Sequence, residues 1–281
     1  MAFWDYERSR ILGSPIELYR FRYGETDAEA YCYTNSEREV VCQGQTYRPV
    51  PIKRGRILTS TEGATSPTLD VELSGDAEVC ELFRVSAPSA GVGLTIFQGH
   101  SRDKDNEFRV IWTGRVTICA RESHGNLGKL SCEPVQSQLN RIALRRHFQY
   151  MCPHVLYGDQ CRASESAATS RQTVAAINGR LVTLSVLLGD HGKYVGGMLR
   201  WPGKGGVVTA RTVIGVREVE GHTQFGLSAA ADDLEVGQQI DAIRGCSHDT
   251  AGCIEHNNIL NFGGQPFIPT KSPLGINGAF S

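Results

Sequence analysis

Four cysteines in two unequal pairs are the residues of this chain best suited to chemistry. Cys152 and Cys161 bound the stretch Cys-Pro-His-Val-Leu-Tyr-Gly-Asp-Gln-Cys, and Cys246 and Cys253 bound Cys-Ser-His-Asp-Thr-Ala-Gly-Cys. Both stretches contain Gly and His and read as loops, not as apolar strand faces. Thiolates are soft donors, and four of them suit zinc or an iron–sulfur cluster. The gaps are eight and six residues. Paired ligands of structural zinc are usually separated by roughly two to four. The wider gaps lean toward a larger object, because a cubane cluster holds its ligands further apart than one ion does. Zinc sites with long gaps also exist. The competing readings are ordinary buried thiols or two disulfides. His154, His248 and His256 lie beside the cysteines and are candidate replacement ligands, although histidines so placed more often support the site or face solvent.

The elements that must position these loops are short strands. Ile16–Tyr23 alternates apolar and polar residues with the period of a half-buried strand, and Thr68–Ser74 does so again. Tyr31–Thr34, Glu39–Cys42, Thr46–Val50, Leu94–Phe97, Phe108–Val116 and Leu127–Cys132 are further strands. Turn signals every eight to twelve residues or so predict an N-terminal barrel or sandwich over 1–133. Pro134 opens a helix predicted to run to Met151, with Leu139, Ile142 and Ala143 at helical spacing. Its basic residues Arg141, Arg145, Arg146 and His147 fit a solvated face better than an anion site. Residues 164–174 read as a loop or short helix. Val174–Ile243 holds a compact set of strands, among them Val182–Leu188 and two within Val207–Val219 around a break at Gly215. The cysteine pairs bracket this set. First and last strands of a small barrel often lie side by side, which would bring Cys161 near Cys246.

The fold expected is therefore mainly β: the N-terminal domain, a linking helix over 134–151, a small C-terminal barrel over 152–256 closed by a four-cysteine metal-cluster site, and an arm over 257–281. The arm carries Phe262, Phe267, Ile268, Leu274 and Phe280 among prolines at 266, 269 and 273, so it suits an extended strip lying in a groove. Cys32, Cys42, Cys80, Cys119 and Cys132 sit in strand-like contexts, where cysteine behaves as a small hydrophobe.

Composition narrows the function. The chain has 281 residues with 29 Lys and Arg against 30 Asp and Glu, so its charge gives no reason to expect nucleic acid or anionic lipid. No apolar run of about eighteen residues is present to span a membrane. The first residues lack the basic start and apolar centre of a signal peptide, which points to folding in a reducing cytoplasm. Nine cysteines is an odd number for a disulfide framework. Gly196–Gly205 lacks the spacing of a phosphate loop and reads as a hairpin connection. There is no His-Glu-x-x-His or Gly-x-Ser-x-Gly motif. Asp103, Asp105, Asp232 and Asp233 are acids in turns.

Three stretches together resemble a known family: Met-Cys-Pro-His-Val-Leu-Tyr-Gly-Asp-Gln-Cys after the basic segment, Gly-Cys-Ser-His-Asp-Thr-Ala-Gly-Cys, and Asn-Phe-Gly-Gly-Gln-Pro-Phe-Ile-Pro. They are similar to the tail-tip proteins of long, non-contractile-tailed bacteriophages, of the lambda-type minor tail protein L kind, and to the hub or baseplate protein of gene transfer agents. The resemblance implies a structural, non-enzymatic protein of the virion tail tip. It implies that Cys152, Cys161, Cys246 and Cys253 hold a [4Fe–4S] cluster, with zinc as the alternative. The implied partners are copies of itself in a homotrimeric ring, the central tail hub or fibre protein, the distal tail or tail tube protein, and other minor tail proteins. An Fe–S redox enzyme or sensor, and a peptidoglycan hydrolase, would need pockets or motifs that the residues do not supply.

Overall fold

Period-two patterning in the N-terminal half becomes nine strands in the computed structural model, which describes residues 3–9, 11, 13–24, 30–57, 68–103, 105–122, 126–140, 147–203 and 207–269. The strands are β1 (Pro15–Tyr23), β2 (Ala30–Thr34), β3 (Val40–Cys42), β4 (Gln45–Pro49), β5 (Lys53–Arg54), β6 (Leu69–Ser74), β7 (Val92–His100), β8 (Arg109–Arg121) and β9 (Leu127–Pro134). In β6, Leu69, Val71 and Leu73 point inward while Asp70, Glu72 and Ser74 stay partly exposed, as alternation of side chains along a strand requires. Two helices join them, α1 (Phe3–Arg8) and α2 (Glu78–Glu81). The α1 rings of Phe3 and Tyr6 rest against buried His100 at 5.6 and 5.4 Å.

These strands form one sheet in the order β3-β4-β2-β1-β7-β8-β9-β6-β5. Among the described residues this is a single sheet with two ends, not the closed barrel or two-sheet sandwich expected from the sequence. The sheet curls, however. Arg54 at the β5 end reaches Glu17 in the middle, with Nη2 donating to Oε1 at 2.6 Å. Twist accumulates from strand to strand, and nine strands are enough to bring one end back over the centre.

The chain divides into two compact units, Met1–Arg141 and Ile142–Ser281. The segment expected as an α-helix over 134–151 differs. Val135–Asn140 is a 3₁₀ turn, His147–Met151 is irregular, and 141–146 lie outside the described residues. Val, Ser and Asn are weak helix formers. Beyond them the Gln149 carbonyl accepts from the Gln265 N–H at 2.9 Å, a bond that takes it out of any helical ladder.

The second unit contains α3 (Glu165–Ala168), then β10 (Thr169–Asn178), β11 (Leu181–Leu184), β12 (Met198–Pro202), β13 (Val208–Val219), β14 (His222–Leu227) and β15 (Gln239–Ile243). The six strands close as a barrel in the order β10-β11-β14-β13-β12-β15. First and last do lie side by side: Thr169 faces Ile243 and Thr173 faces Gln239. Gly215 does not break its strand. It sits at a bulge within continuous β13, where the register against β14 shifts. The expected Val182–Leu188 strand stops at Leu184 because Leu188 N–H turns to Thr223 Oγ1 at 2.8 Å. The Gly-rich stretch read as a hairpin connection contains β12, whose Trp201 is buried in the barrel core with Leu199, Phe225 and Leu184. Of the expected arm, Ile259–Asn261 forms a 3₁₀ turn, and Leu274 and Phe280 lie outside the described residues.

One carboxylate satisfies the polar atoms of this core. Trp201 Nε1–H donates to Asp233 Oδ1 at 3.2 Å, and Thr209 Oγ1–H donates to Asp233 Oδ2 at 2.6 Å. Asp233 is thus a structural acceptor. Replacing Asp233 with Ala leaves two buried donors unmet and is predicted to destabilise the barrel by about 1–3 kcal/mol. Urea unfolding of the full chain, followed by tryptophan fluorescence, checks it; an unchanged midpoint would show that the two donors find other acceptors.

Candidate functional site

The closing pair β10 and β15 sets the site. Cys161 lies upstream of β10, with only Arg162, Ala163, Ser164 and the one-turn α3 between them. Cys246 follows β15 after Arg244 and Gly245. The chain leaving β15 passes flush against residues 195–197. A Cβ at Gly245 would collide with Val195 O, and one at Gly197 with Ile243 O. Only glycine allows this approach, and it fixes where Cys246 emerges. Tyr157 Oη–H donates to Arg244 O at 2.6 Å, tying the first loop to the exit of β15. His256 Nε2–H donates to Gly245 O at 2.7 Å and packs edge-on to Tyr157.

The two cysteine loops are clamped to each other. Cys152 N–H donates to His248 O at 2.7 Å, and His248 Nδ1–H returns a bond to Cys152 O at 3.1 Å. Cys253 sits on α4 (Thr250–Glu255), whose start is capped by Asp249 accepting from Gly252 N–H at 2.7 Å and Ser247 Oγ–H at 2.6 Å. A Cβ at Gly252 would strike Ser247 and lie 3.2 Å from Cys246 Sγ, so the second loop also depends on a glycine.

The four thiols are brought together. Burial pushes the Cys246 thiol up; the His248 N–H opposes this, and Cys161 and Cys152 add to it. Burial also raises Cys253, and then Cys246, Cys152 and Cys161 each raise it further. The loops that carry them are joined directly, Cys152 to His248 and Asn258 to both Cys161 and Cys253. Three of the four receive N–H donors: His248 N–H to Cys246 Sγ at 3.3 Å, Gly263 N–H to Cys152 Sγ at 3.4 Å, and Asn258 Nδ2–H to Cys161 Sγ at 3.6 Å. Donors aimed at sulfur favour the thiolate, the form that binds metal. Among the described residues, no group of three or more His, Cys, Asp or Glu side chains is arranged to hold a metal ion.

The backbone here is strained. Tyr157, Arg162, His248 and Asn257 all have left-handed φ, at 61°, 56°, 59° and 50°. The conformation is uncommon outside glycine, and Tyr and Arg lack the local compensation open to Asn and His. Strain clustered at one place accompanies function when surrounding contacts over-determine it.

The histidines are not brought in as a ligand set. His248 and His256 spend their ring N–H groups on backbone carbonyls, and the ring of His154 lies against Gly263. Sequence reasoning missed Asn258, Gly263 and Tyr157; the Asn257-Asn258 and Gly263-Gly264 pairs were the available signals. The other five cysteines all belong to the first unit. Cys32, Cys42, Cys80 and Cys132 are buried. Cys80 is on α2, not on a strand; a Cβ at Gly128 would meet its sulfur at 2.7 Å. It shares a hydrogen bond with Cys119 that raises Cys80 and lowers Cys119.

The chain thus combines a curled, mostly antiparallel sheet with a six-stranded barrel whose closing strands lead to the four cysteines. Residues 192–272 match a family described as phage conserved hypothetical protein BR0599. Eight chains of solved structures match. One belongs to the virion of a native gene transfer agent particle; it is 14% identical, covers 96% of this chain and 93% of its own, and superposes with a TM-score of 0.71. No curated protein matches.

The Asp249 cap gives a pH test. Its carboxyl is held below the usual range by the Gly252 N–H first and the Ser247 hydroxyl second. A depressed carboxyl contributes stability that is present above its unfolded value of about 3.9 and lost as pH falls through the folded value. The amide protection factor at Gly252 is therefore expected to hold at pH 6 and drop below about pH 4, while Asp249→Ala lacks that protection at pH 6. Equal protection in the variant at pH 6 would remove the cap from the account.

Proposed function

We propose that this chain is a structural protein of the virion of a bacteriophage or phage-like particle, placed at the distal tail tip. The observation that carries the reading is the fold likeness, over 96% of the chain, to a chain of a gene transfer agent virion. The match of residues 192–272 to a phage family supports it independently. In this reading the protein is not an enzyme. It folds in the host cytoplasm and takes its place as a homotrimeric ring between the tail tube or distal tail protein and the central hub or fibre protein, beside other minor tail proteins.

Cys152, Cys161, Cys246 and Cys253 hold a [4Fe–4S] cluster in this proposal. The direct bonds between the two cysteine loops, Cys152 with His248 and Asn258 with both Cys161 and Cys253, support this reading. The donors on three sulfurs suit thiolates. When bound, the cluster supplies a four-point cross-link. The chain's own residues do the rest: the Cys152–His248 clamp joins the loops, and Tyr157 fixes them to the end of β15. The segments that carry the cysteines also expose Phe148, Val155, Leu260 and Phe267. Exposed large apolar side chains suit contact with neighbouring virion subunits. Among the described residues no helix is long and apolar enough to cross a membrane.

Ligand binding energy is folding energy at such a site. Cys246→Ser is predicted to lower the yield of infectious particles by roughly tenfold or more, the order of change that follows loss of one or two kcal/mol of native stability. Heads should accumulate without complete tails, and gold-labelled antibody against the wild-type chain should mark the tail tip. Normal tails carrying the variant, or label elsewhere on the particle, would refute the placement and the structural role.

A further inference from the structure

The chain after α4 returns across both cysteine loops, and one residue of it touches a cysteine from each. Asn258 is only 8% exposed. Its backbone N–H donates to Cys253 O at 2.9 Å, and its carbonyl accepts from the Cys253 thiol at 3.1 Å. Its side-chain amide donates to Cys161 O at 2.5 Å and points at Cys161 Sγ from 3.6 Å. An amide nitrogen carries two hydrogens, so both bonds can be made at once. Its Oδ1 accepts from Asn261 Nδ2–H at 2.7 Å, which fixes which way the amide faces. A few residues on, Gly263 N–H donates to Cys152 Sγ, and a Cβ there would collide with the His154 ring. Gln265 N–H then anchors the strip to Gln149 O.

We propose that Asn258 is the positioning residue that closes the four-thiol site, and that residues 258–263 form a strap whose N–H groups are aimed at the sulfurs of Cys161 and Cys152. The inference rests on the reading that the four thiols hold a metal group. The physics is that of outer ligands elsewhere: a donor to a metal-bound thiolate orients it, spreads its charge and sets how firmly the group is kept and at what potential it is reduced. Asn258 links Cys161 before the barrel, held by its side chain, to Cys253 after it, held by its backbone. Asp in its place has the same shape but no donors, and adds negative charge beside the sulfurs.

The test uses the full chain loaded anaerobically with iron and sulfide, or with cobalt(II) if only a single ion is accepted. Asn258→Asp should lose the group to a chelator about ten to a hundred times faster than wild type, and a loaded cluster should reduce at a lower potential. Asn258→Gln, which keeps the amide, should recover most of the retention. A second measurement needs no variant: in wild type labelled with ¹⁵N only at asparagine side chains, the paramagnetic form should show a ¹⁵N hyperfine coupling. Unchanged retention and potential in a folded Asn258→Asp, or no asparagine coupling in the loaded wild type, overturns the role of Asn258 while leaving the four-thiol reading intact. Wild type that accepts neither iron with sulfide nor cobalt overturns both.

Discussion

The antiparallel pairing of β10 with β15 is the constraint on which the rest of the second unit depends. It closes the barrel and sets the chain before the first strand beside the chain after the last. Sulfurs some ninety residues apart in sequence thereby become neighbours. The chain leaving β15 needs glycine at 197 and 245, where it crosses the backbone just before β12 with no room for a side chain. Everything beyond is local: a cap at Asp249, a clamp between Cys152 and His248, and a strap that returns over both loops.

Two features of the seam oppose its stability unless something is bound there. Four non-glycine residues are held in left-handed conformations, each costing on the order of 1–3 kcal/mol. Burial and the sulfurs around them also disfavour the thiolates of Cys246 and Cys253. A cation reverses the second effect, because positive charge among the sulfurs stabilises the ionised form. The same binding energy offsets the backbone strain. A site of this kind gains more from a bound group than a relaxed pair of loops would, which is why the proposed cluster is read as a cross-link.

Much of this was legible in the residues. Alternation placed most strands of the first unit, because each has one buried face and one wet face. The bracketing of a strand-rich segment by two cysteine pairs was enough to expect its ends to meet. What local pattern does not carry is the order in which strands pair. The curled single sheet is specified by contacts distant in sequence, such as Glu17 with Arg54. β12 was hidden by flanking glycines, although its Trp201 anchors the core. Of the helix expected before Cys152, the described parts differ: Val135–Asn140 is a 3₁₀ turn, and Gln149 beyond it is held by the distant Gln265. Asn258 carried no pattern of its own; a buried amide becomes visible only when both of its partners are in place.

The central claim is that four thiols at the barrel seam hold one [4Fe–4S] cluster, and metal analysis of the intact chain tests it most directly. Protein purified without oxygen from iron-replete cells should be brown and contain about four iron atoms and four acid-labile sulfides per chain. Both should disappear when Cys161 and Cys253 are replaced together and persist when Cys32, Cys42, Cys80, Cys119 and Cys132 are replaced one at a time. Colourless protein carrying one zinc per chain and no labile sulfide would contradict it.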